Sequence, residues 1–358
     1  MKKYEELVKI FKQKIPLLLK EGCQALPSEA EICLTYQVSR QTVRKAYTIL
    51  AQEKLIESRR GSGTYLTGLL PDQGNNQVAL LLTTDTEYIY PELLSDIGRP
   101  LSGAGFSVSV HTTGDSVQAE RSLLLRLLKH PPRGLIAEGC HNALPTPNAD
   151  LYQELEQRGT SILFLYGRYP NVFTGICIED DNFQGGYELT QHLLRKGQRH
   201  IAGIFQSDTV QGRDRYLGYV TALRDYDAPL PSDNLLWFDD RMLQNLQKKQ
   251  DTRFLREYIS KNLLSCTACV CYNDELAYWL IRELTRMKIA VPKDLSVVGF
   301  DNSYLRHASH LQLTTLAHEA HAVGKAASSC LLQMMQGRTV LSQTIPWTLL
   351  PGNSDRSL

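Results

Sequence analysis

Two patterns of hydrophobic and polar positions follow one another along the chain. In residues 1–68 the apolar residues recur at helical spacing and then alternate with polar ones over two short stretches. After residue 77, short apolar runs alternate with amphipathic segments of helical length. Residues 69–77 are polar and rich in turn-forming residues. The pattern therefore predicts a small domain over residues 1–68, a linker over 69–77 and a larger domain over 78–358.

The small domain is predicted to begin with three helices. The first is indicated by apolar residues near helical spacing, namely Tyr4, Leu7, Ile10, Phe11, Ile15 and Leu18. Pro16 interrupts this pattern, so we expect the helix to kink or break there. Ser28, with Glu31 three residues later, forms a capping box that opens a short second helix. After a turn at residues 36–38, Ser39 caps the third helix.

A β-hairpin is predicted to follow the third helix. Residues 55–58 and 64–66 alternate between apolar and polar, which is typical of paired strands. The tip between them reads RRGSG and carries two arginines and two glycines. The order of helix, turn, helix and hairpin predicts a small α+β winged helix-turn-helix domain.

The third helix and the hairpin tip carry residues suited to reading DNA. Arginine can bind guanine through two hydrogen bonds, glutamine suits adenine, and threonine bonds bases or phosphates. Glycines in the tip allow close approach to DNA, and arginines there supply minor-groove or phosphate contacts. A basic, merely solvated helix is the alternative, but the cap, the arginines and the glycine-rich tip occur together. The predicted DNA-binding residues are Ser28, Glu29, Ser39, Arg40, Gln41, Thr42, Arg44, Lys45, Arg59, Arg60, Gly61, Ser62 and Gly63.

Three segments of the small domain resemble the winged helix-turn-helix of the GntR family of bacterial regulators: LPSEAEI, VSRQTVRKAYTIL and LIESRRGSGTYL. Their order and spacing make the resemblance specific, and it implies binding to double-stranded operator DNA. Ala30 stands where the family often has arginine, which removes one expected DNA contact.

The charge distribution agrees with this division of the chain. Residues 1–68 carry a net charge of +5, whereas the remainder carries −4. A basic domain attached to a mildly acidic one indicates that only the first meets a polyanion. No apolar run is long enough to span a bilayer, and the N-terminal residues lack the apolar core of a signal peptide. We therefore expect a cytoplasmic protein whose eight cysteines are reduced.

The larger domain is predicted to be an α/β fold with parallel sheets and helices on both faces, because its strands and helices alternate. The predicted strands are 78–82, 106–111, 134–138, 161–166, 201–205, 268–272 and 295–300. The predicted helices are 91–105, 117–129, 149–158, 184–196, 213–223 and 274–287. Ligands in such folds bind beyond the carboxyl ends of the strands, so the residues that follow each strand are candidates for a site.

Those positions are polar and aromatic, as a small hydroxylated ligand requires. Hydroxyls need paired donors and acceptors, and the C–H face of a sugar packs on an aromatic ring. The predicted effector-binding residues are Thr84, Asp85, Tyr88, Tyr90, Glu138, Arg215, Asn273, Asp301 and His318. For Tyr88 and Tyr90 a place in the core is an equal alternative, and Arg213 is assigned to the surface because Arg215 has the better register.

The larger domain resembles the effector-binding domain of the lactose-repressor family, through IEDDNFQGGYELTQHLLRKGQRHIAGI, RDRYLGY, CYNDELA, LSVVGFDNS and LQLTTLAHEAHAVGKAA. The resemblance implies a two-lobed periplasmic-binding-protein-like fold, a sugar in the cleft and a homodimer. It assigns ligand contacts to Arg215, Asn273 and Asp301, and it places His318 where relatives often carry glutamine. Asp181 and Asn182 match a pair whose family role lies nearer the hinge. The C-terminal PWTLLPGNS departs from the family, and no DNA-binding hinge helix is evident at 68–77.

The two resemblances together imply a sugar-responsive repressor that binds operator DNA as a dimer and is released by a small sugar. L-Arabinose is the effector favoured by this pairing of domains, while another sugar or a sugar phosphate is left open. A sugar-modifying enzyme is the further alternative, but the chain has no P-loop, no dinucleotide-binding glycine motif and no GxSxG elbow. No catalytic residue or cofactor is expected.

Two groups of residues, one of cysteines and one of histidines, are of types that can bind a metal. Cys269 and Cys271 alternate within an apolar strand, with Cys266 nearby, and this favours packing over a zinc site. His318 and His321 are three residues apart, but a metal would need more ligands. Gly185 and Gly186 resemble a fragment of a phosphate-binding loop, yet a close packing of helices explains them better.

Overall fold

A computed structural model describes residues 3–53, 55–59, 63–67, 76–85, 88–230, 233–308 and 311–358. Within these ranges the chain folds into an N-terminal region and two α/β lobes. No helix among the described residues has both the length and the apolar character needed to cross a membrane.

The N-terminal region, up to residue 67, contains three helices and a hairpin: α1 (Lys3–Lys20), α2 (Glu29–Tyr36), α3 (Arg40–Gln52), β1 (Ile56–Arg59) and β2 (Gly63–Leu66). The strands pair antiparallel with Ile56 opposite Leu66, as the alternation predicts. The amphipathic faces of the helices bury a small core that includes Phe11, Val43 and Leu50. The helix-turn-helix and hairpin are thereby confirmed, and α1 continues through Pro16 without a break.

The predicted helix caps are present. The Ser28 side chain accepts a hydrogen bond from the Glu31 backbone amide, and the Glu31 carboxylate accepts one from the Ser28 amide at 2.7 Å. Ser39 accepts from the Thr42 amide and so satisfies a donor at the start of α3. These bonds pair amides that have no partner within the helix, and they fix where α2 and α3 begin.

From residue 76 onward, the described residues form twelve strands. They are β3 (Gln77–Leu82), β4 (Ser107–Thr112), β5 (Gly134–Glu138), β6 (Ser161–Leu165), β7 (Ile176–Asp180), β8 (Ile201–Gln206), β9 (Leu235–Phe238), β10 (Ala268–Cys271), β11 (Ser296–Phe300), β12 (Thr314–Ala317), β13 (Gln343–Ile345) and β14 (Thr348–Leu350). The first sheet has the order β13-β7-β6-β5-β3-β4 and defines the first lobe. The second sheet has the order β14-β12-β11-β10-β8-β9 and defines the second lobe.

All strand pairs in these two sheets are parallel except β12 with β14, which is antiparallel. The helices are α4 (Tyr90–Gly103), α5 (Val117–Lys129), α6 (Ala149–Gln157), α7 (Asn182–Arg195), α8 (Val210–Asp225), α9 (Asp240–Lys249), α10 (Arg253–Tyr258), α11 (Asp274–Arg286) and α12 (Ala322–Met335). A π-helical turn (Ile259–Leu263) extends α10, and a 3-10 turn (Tyr304–His307) follows β11.

Each sheet buries both of its faces, which confirms the predicted layers. In the first lobe, α4 and α12 cover one face of the sheet, whereas α5 and α6 cover the other. In the second lobe, α7 and α8 lie on one face, and α9 to α11 lie on the other. The near-continuous apolar strands follow from this, since parallel strands buried on both sides have no polar face.

The chain crosses between the lobes three times, which confirms the two-lobed fold. It passes from β7 to α7 at residues 180–182, from β12 to α12 at 318–321, and from β13 to β14 at 346–347. The hydrophobic pattern does not predict β7, β9, β12, β13, β14, α9, α10 or α12. Four of these strands, β7, β12, β13 and β14, include polar residues, and α12 is rich in alanine and serine, which weakens their apolar contrast.

Glycines allow α7 and α8 to pack at short range. A Cβ atom on Gly218 would lie 2.0 Å from the carbonyl oxygen of Phe183, and one on Gly186 would lie 2.1 Å from the carbonyl oxygen of Arg215. Gly186 therefore serves helix packing, as its sequence context suggests, whereas a Cβ atom on Gly185 would meet the rings of Trp347 and Phe300.

Replacing Gly218 by alanine is expected to destabilise the second lobe, because α7 and α8 must separate to admit the methyl group. Overpacking of this kind costs about 1–3 kcal/mol. Thermal unfolding of Gly218→Ala should therefore begin at a lower temperature than that of the wild type. Gly98 lies within α4 and has no atom within 4 Å of a built Cβ, so Gly98→Ala is the matched control. An unchanged transition in Gly218→Ala would contradict the close packing.

Candidate functional site

The first turn of α3 presents polar and basic side chains to solvent. Arg40, Gln41, Arg44 and Lys45 are exposed, whereas Thr42 is half-buried and bonds the Ser39 hydroxyl at 2.9 Å. The opposite face of α3 enters the core, so packing fixes the direction in which the exposed face points. This surface has the shape and charge of a helix that enters a DNA major groove.

Two cations of this surface are held by neighbours. The Nε atom of Arg44 donates to both carboxylate oxygens of Glu29, at 3.2 and 3.0 Å. Lys45 lies over the ring of Tyr4, with Nζ 4.3 Å from the ring centroid. A carboxylate repels phosphate. The predicted contribution of Glu29 to DNA binding is therefore explained best by its ion pair with Arg44, which positions the arginine. Ser28 is engaged in the cap of α2.

The hairpin carries another arginine that is predicted to contact DNA. The Arg59 guanidinium lies over the ring of Tyr65 at 4.6 Å. Gly63 has a φ of 114°, which side-chain-bearing residues rarely adopt, and this explains a glycine at the end of the tip. Arg60, Gly61 and Ser62 fall outside the described residues, so their DNA contacts stay predictions.

A second candidate site is the cavity of about 700 Å³ between the lobes, which we call the effector cleft. It is built where the strands of both sheets end, as expected of open α/β sheets. All the predicted effector-binding residues line it: Thr84, Asp85, Tyr88, Tyr90, Glu138, Arg215, Asn273, Asp301 and His318. Arg213 does not, since its guanidinium donates to the carbonyl oxygens of Ser207 and Ala143.

Arg215 lies at the centre of the cleft and is 1% exposed. Its Nε donates to Asn182 Oδ1 at 2.9 Å, and its Nη1 donates to the Tyr272 carbonyl at 2.6 Å. Its Nη2 is 3.6 Å from a carboxylate oxygen of Asp180 and 3.6 Å from one of Asp301. The guanidinium thus contacts residues of the first crossing between the lobes, Asp180 and Asn182, and residues of the second lobe, Tyr272 and Asp301.

Three aromatic rings surround this guanidinium. Its carbon lies 4.2 Å from the ring centre of Phe300, 4.9 Å from that of Tyr272 and 5.4 Å from that of Trp347. The rings exclude water and strengthen the charge interactions inside the cleft. Tyr272 and Trp347 line the cleft and offer apolar surfaces on which the C–H groups of a sugar can pack.

Asp301 links the lobes through Tyr88. The Tyr88 hydroxyl, from the first lobe, donates to Asp301 Oδ2 at 2.7 Å. Burial raises the pKa of the Asp301 carboxyl, and the nearby Arg215 opposes that rise. Asp301 has a φ of 95°, a strained value that places its carboxylate at the cleft.

Glu138 forms the wall of the cleft on the first lobe. Its carboxylate accepts hydrogen bonds from the Thr83 amide at 3.0 Å, from the Thr83 hydroxyl at 3.0 Å and from the Tyr90 hydroxyl at 2.9 Å. Burial raises the pKa of Glu138, while these hydrogen bonds lower it. Tyr90 and Tyr88 therefore both reach the site instead of packing only in the core.

Asn273 and Asp274 follow β10 but differ in position. The Asn273 side-chain oxygen caps α11 by accepting from the Leu276 amide at 3.0 Å, so its amide group is the part that a ligand would meet. Asp274 is buried and accepts from Ser303 and Thr315. Burial raises the pKa of Asp274 to about 8.

Sequence reasoning misses several residues that line the cleft, among them Asp180, Gln211, Tyr166 and Trp347. Asp180 accepts from Gln211 at 3.0 Å and from His318 at 2.9 Å. The rule that ligands meet the ends of strands would have found Asp180, but it requires that β7 be recognised first. Trp347 lies in the crossing between β13 and β14, which sequence periodicity does not reveal.

The cleft is strongly acidic. Its lining includes one arginine and one lysine, Arg215 and Lys248. Its carboxyl groups belong to Asp85, Glu92, Asp96, Asp115, Glu138, Asp180, Asp240, Glu275, Asp301 and Glu319. Such a lining repels phosphates and accepts hydrogen bonds from the hydroxyls of an uncharged ligand.

The described residues contain two clusters with the ligand types of a metal site. One joins Asp115, His141 and Asp208 at the mouth of the cleft, and the other joins Glu92, Asp96 and His321. In the first, His141 Nδ1 lies 2.7 Å from Asp208, and this hydrogen bond raises the histidine pKa to about 9. An ion pair between the lobes accounts for this cluster.

Two family models match the chain. "Bacterial regulatory proteins, gntR family" matches residues 3–66, and "Periplasmic binding protein-like domain" matches residues 190–354. The first match covers the three helices and the hairpin, and the second covers most of the second lobe, the last two crossings, and α12 and β13 of the first lobe.

Two curated relatives share the whole architecture. An "Arabinose metabolism transcriptional repressor" of Geobacillus stearothermophilus is 32% identical over 321 residues, which are 88% of this chain and 86% of the relative. A protein of the same description from Halalkalibacterium halodurans is 32% identical over 347 residues, which are 92% of this chain and 90% of the relative.

Solved structures share the fold of the two lobes. A periplasmic binding protein/LacI transcriptional regulator from Alkaliphilus metalliredigens, complexed with D-xylulofuranose, superposes with a TM-score of 0.66 at 19% identity, covering 78% of this chain and 99% of that one. The lac repressor dimer bound to operator and an anti-inducer gives 0.65 at 20% identity, covering 80% and 96%.

Replacing Arg44 by alanine is expected to weaken binding to every DNA sequence, because it removes one exposed cation beside the cap of α3. The dissociation constant should rise about tenfold, and the slope of its logarithm against the logarithm of salt concentration should fall by about one. Fluorescence anisotropy with labelled duplex DNA measures both.

Arg253→Ala removes an exposed arginine from the second lobe and is the matched control for charge. Equal losses of DNA affinity in the two variants would contradict the assignment of the α3 surface to DNA.

Proposed function

The chain belongs to the family of arabinose metabolism transcriptional repressors, and we propose that its effector is L-arabinose, which binds in the effector cleft and releases the protein from operator DNA. It is a sugar-responsive transcriptional repressor with a GntR-type winged helix-turn-helix and a lactose-repressor-type effector domain. It is a regulator and not an enzyme.

One observation carries the assignment of the cleft to a sugar: the buried Arg215 lies between two carboxylates, Asp180 and Asp301. Adjacent hydroxyls of a sugar both donate and accept hydrogen bonds, so they match a guanidinium flanked by carboxylates. Glu138 offers a further acceptor from the first lobe, and the amide of Asn273 offers a donor from the second. A sugar that bonds both lobes would favour their closure.

The acidic lining supports a neutral sugar over a sugar phosphate. A phosphate group in the cleft would meet ten carboxyl groups, whereas the arginine and lysine side chains of the lining are Arg215 and Lys248. Phosphate recognition ordinarily uses several arginines, lysines or backbone amides. The choice of L-arabinose among neutral sugars rests on the two relatives and not on the geometry of the cleft.

The proposed mechanism uses a homodimer whose two winged domains engage a two-fold operator. Sugar binding changes the closure of the lobes, and this changes the spacing or freedom of the winged domains at the N-terminus. Operator affinity then falls because the two domains no longer match the half-site spacing. The effector therefore acts as an inducer.

A sugar titration of the protein–DNA complex tests this function. An operator duplex is first selected from random sequences by binding to the sugar-free protein. L-Arabinose should then raise the dissociation constant of the operator about 5- to 150-fold, the usual range of allosteric coupling. D-Xylose, D-ribose, D-galactose and arabinose 5-phosphate should have little effect at the same concentration. No response to any sugar would contradict the proposed function, and a response to another sugar alone would contradict the choice of L-arabinose.

Replacing Arg215 by lysine is expected to weaken sugar binding while operator binding persists. Lysine keeps the charge but loses the planar fork that donates to Asn182 and the Tyr272 carbonyl while facing the two carboxylates at 3.6 Å. The dissociation constant for L-arabinose should rise about 10- to 100-fold in calorimetric titration, since hydrogen bonds with charged groups are lost.

Arg224→Lys, at the exposed end of the same helix, is the matched control and should bind the sugar as the wild type does. Undiminished sugar binding by Arg215→Lys would contradict the central place of the guanidinium.

A further inference from the structure

The three crossings between the lobes meet at one side chain. Asp180 ends β7 at the first crossing, His318 follows β12 at the second, and Pro346 and Trp347 form the third. The Nε2 atom of His318 lies 2.9 Å from Asp180 Oδ1, and its Nδ1 atom lies 2.9 Å from the Pro346 carbonyl oxygen. Its ring stacks on Trp347 with centres 3.6 Å apart and an interplanar angle of 21°. We call these four residues the hinge cluster.

These contacts determine the protonation of His318. A carbonyl oxygen can only accept a hydrogen bond, so Nδ1 must carry a hydrogen. Asp180 is an ionised acceptor because, although burial opposes it, its bonds with His318 and the charge of Arg215 lower its pKa. The Nε2 atom must then carry a hydrogen as well. His318 is therefore an imidazolium in this arrangement, and its pKa is raised although burial lowers it.

We propose that protonated His318 is a positioning residue that ties the three crossings together and holds Asp180 beside Arg215, instead of contacting the sugar itself. Both of its ring nitrogens are engaged by the protein, so no N–H group is left for a ligand. Asp180 connects His318 to the effector cleft, because its other carboxylate oxygen accepts from Gln211 and faces Arg215 there. The part of this inference that concerns the sugar rests on the proposed function.

A dependence on pH follows from this role. The charged groups that face His318 are Asp180 on β7, Asp301 after β11 and, across Asp180, Arg215 on α8. The hinge cluster requires the protonated ring, so its contribution is complete below the ordinary histidine pKa of about 6.5. It is lost as pH rises through the raised pKa, and affinity for a ligand that needs Asp180 in place should fall over that interval.

The decisive comparison is between the wild type and His318→Gln in the full-length protein. Glutamine can donate to Asp180, but it has no charge and no second ring nitrogen for the Pro346 carbonyl, and it does not titrate. NMR follows the Cε1–H signal of His318 in the sugar-free protein as pH is raised. The chain has nine histidines, and the signal of His318 is the one that is missing from the spectrum of the variant. We expect a midpoint clearly above about 6.5. A midpoint at or below that value would overturn the proposal whatever the sugar is.

The second arm measures L-arabinose affinity by calorimetry from pH 6 to pH 9. The dissociation constant of His318→Gln should exceed that of the wild type about tenfold at pH 6, and the ratio should approach one as the wild-type ring loses its proton. A ratio that stays constant across this range would overturn the positioning role. His141→Gln is the control for the other titrating histidine between the lobes, and it should leave the NMR midpoint of His318 unchanged.

The two arms separate the possible failures. A raised NMR midpoint with no binding of L-arabinose at any pH would refute the proposed sugar and support the hinge cluster. Binding of L-arabinose with an ordinary midpoint would support the proposed sugar and refute the hinge cluster.

Discussion

The burial of one guanidinium is the constraint on which the effector domain depends. A charge that is nearly inaccessible to water must be paired and hydrogen-bonded, or its desolvation would cost several kcal/mol. Arg215 meets this requirement through Asn182, the Tyr272 carbonyl and the carboxylates of Asp180 and Asp301. These partners come from the first crossing, from the end of β10 and from the end of β11. Pairing the charge therefore fixes where the hinge and the second lobe meet.

The glycines of the packed helices serve the same constraint. The backbone of Arg215 approaches Gly186 so closely that any side chain there would displace α8 from α7. The guanidinium reaches the cleft from this position, between the rings of Phe300 and Tyr272. The packing of α7 against α8 and the pairing of charges in the cleft thus both depend on the position of Arg215 in α8.

Asp180 connects the cleft to the hinge. One of its oxygens faces Gln211 and Arg215, where a sugar is proposed to bind, and the other accepts from His318. Any ligand that changes the bonding of Asp180 on the cleft side alters the crossings on the hinge side. Packed elements with few alternative arrangements convert such small shifts into motions of whole lobes. This is the route that we propose from sugar binding to the spacing of the winged domains.

Helix caps and strand ends can be predicted from neighbouring residues in the sequence. Contacts between residues that are distant in the sequence cannot. Ser28 and Ser39 mark the starts of helices because capping is a property of neighbouring residues. Glu138, Arg215 and Asp301 are found because ligands meet the ends of parallel strands. Asp180 is missed because β7 mixes apolar with acidic residues, and Trp347 is missed because it lies in a crossing between two strands. The distance between His318 and Pro346 depends on tertiary structure. The pairing of Glu29 with Arg44 likewise joins two helices that sequence periodicity treats separately.

The central claim is that the cleft and the winged domains are thermodynamically coupled, and reciprocity tests it most directly. L-Arabinose is titrated calorimetrically into the free protein and into its complex with operator DNA. Linkage requires the operator to weaken sugar binding by the same factor by which the sugar weakens operator binding. Equal sugar affinities for the free and DNA-bound protein would contradict the coupling, even if the sugar binds tightly in the cleft.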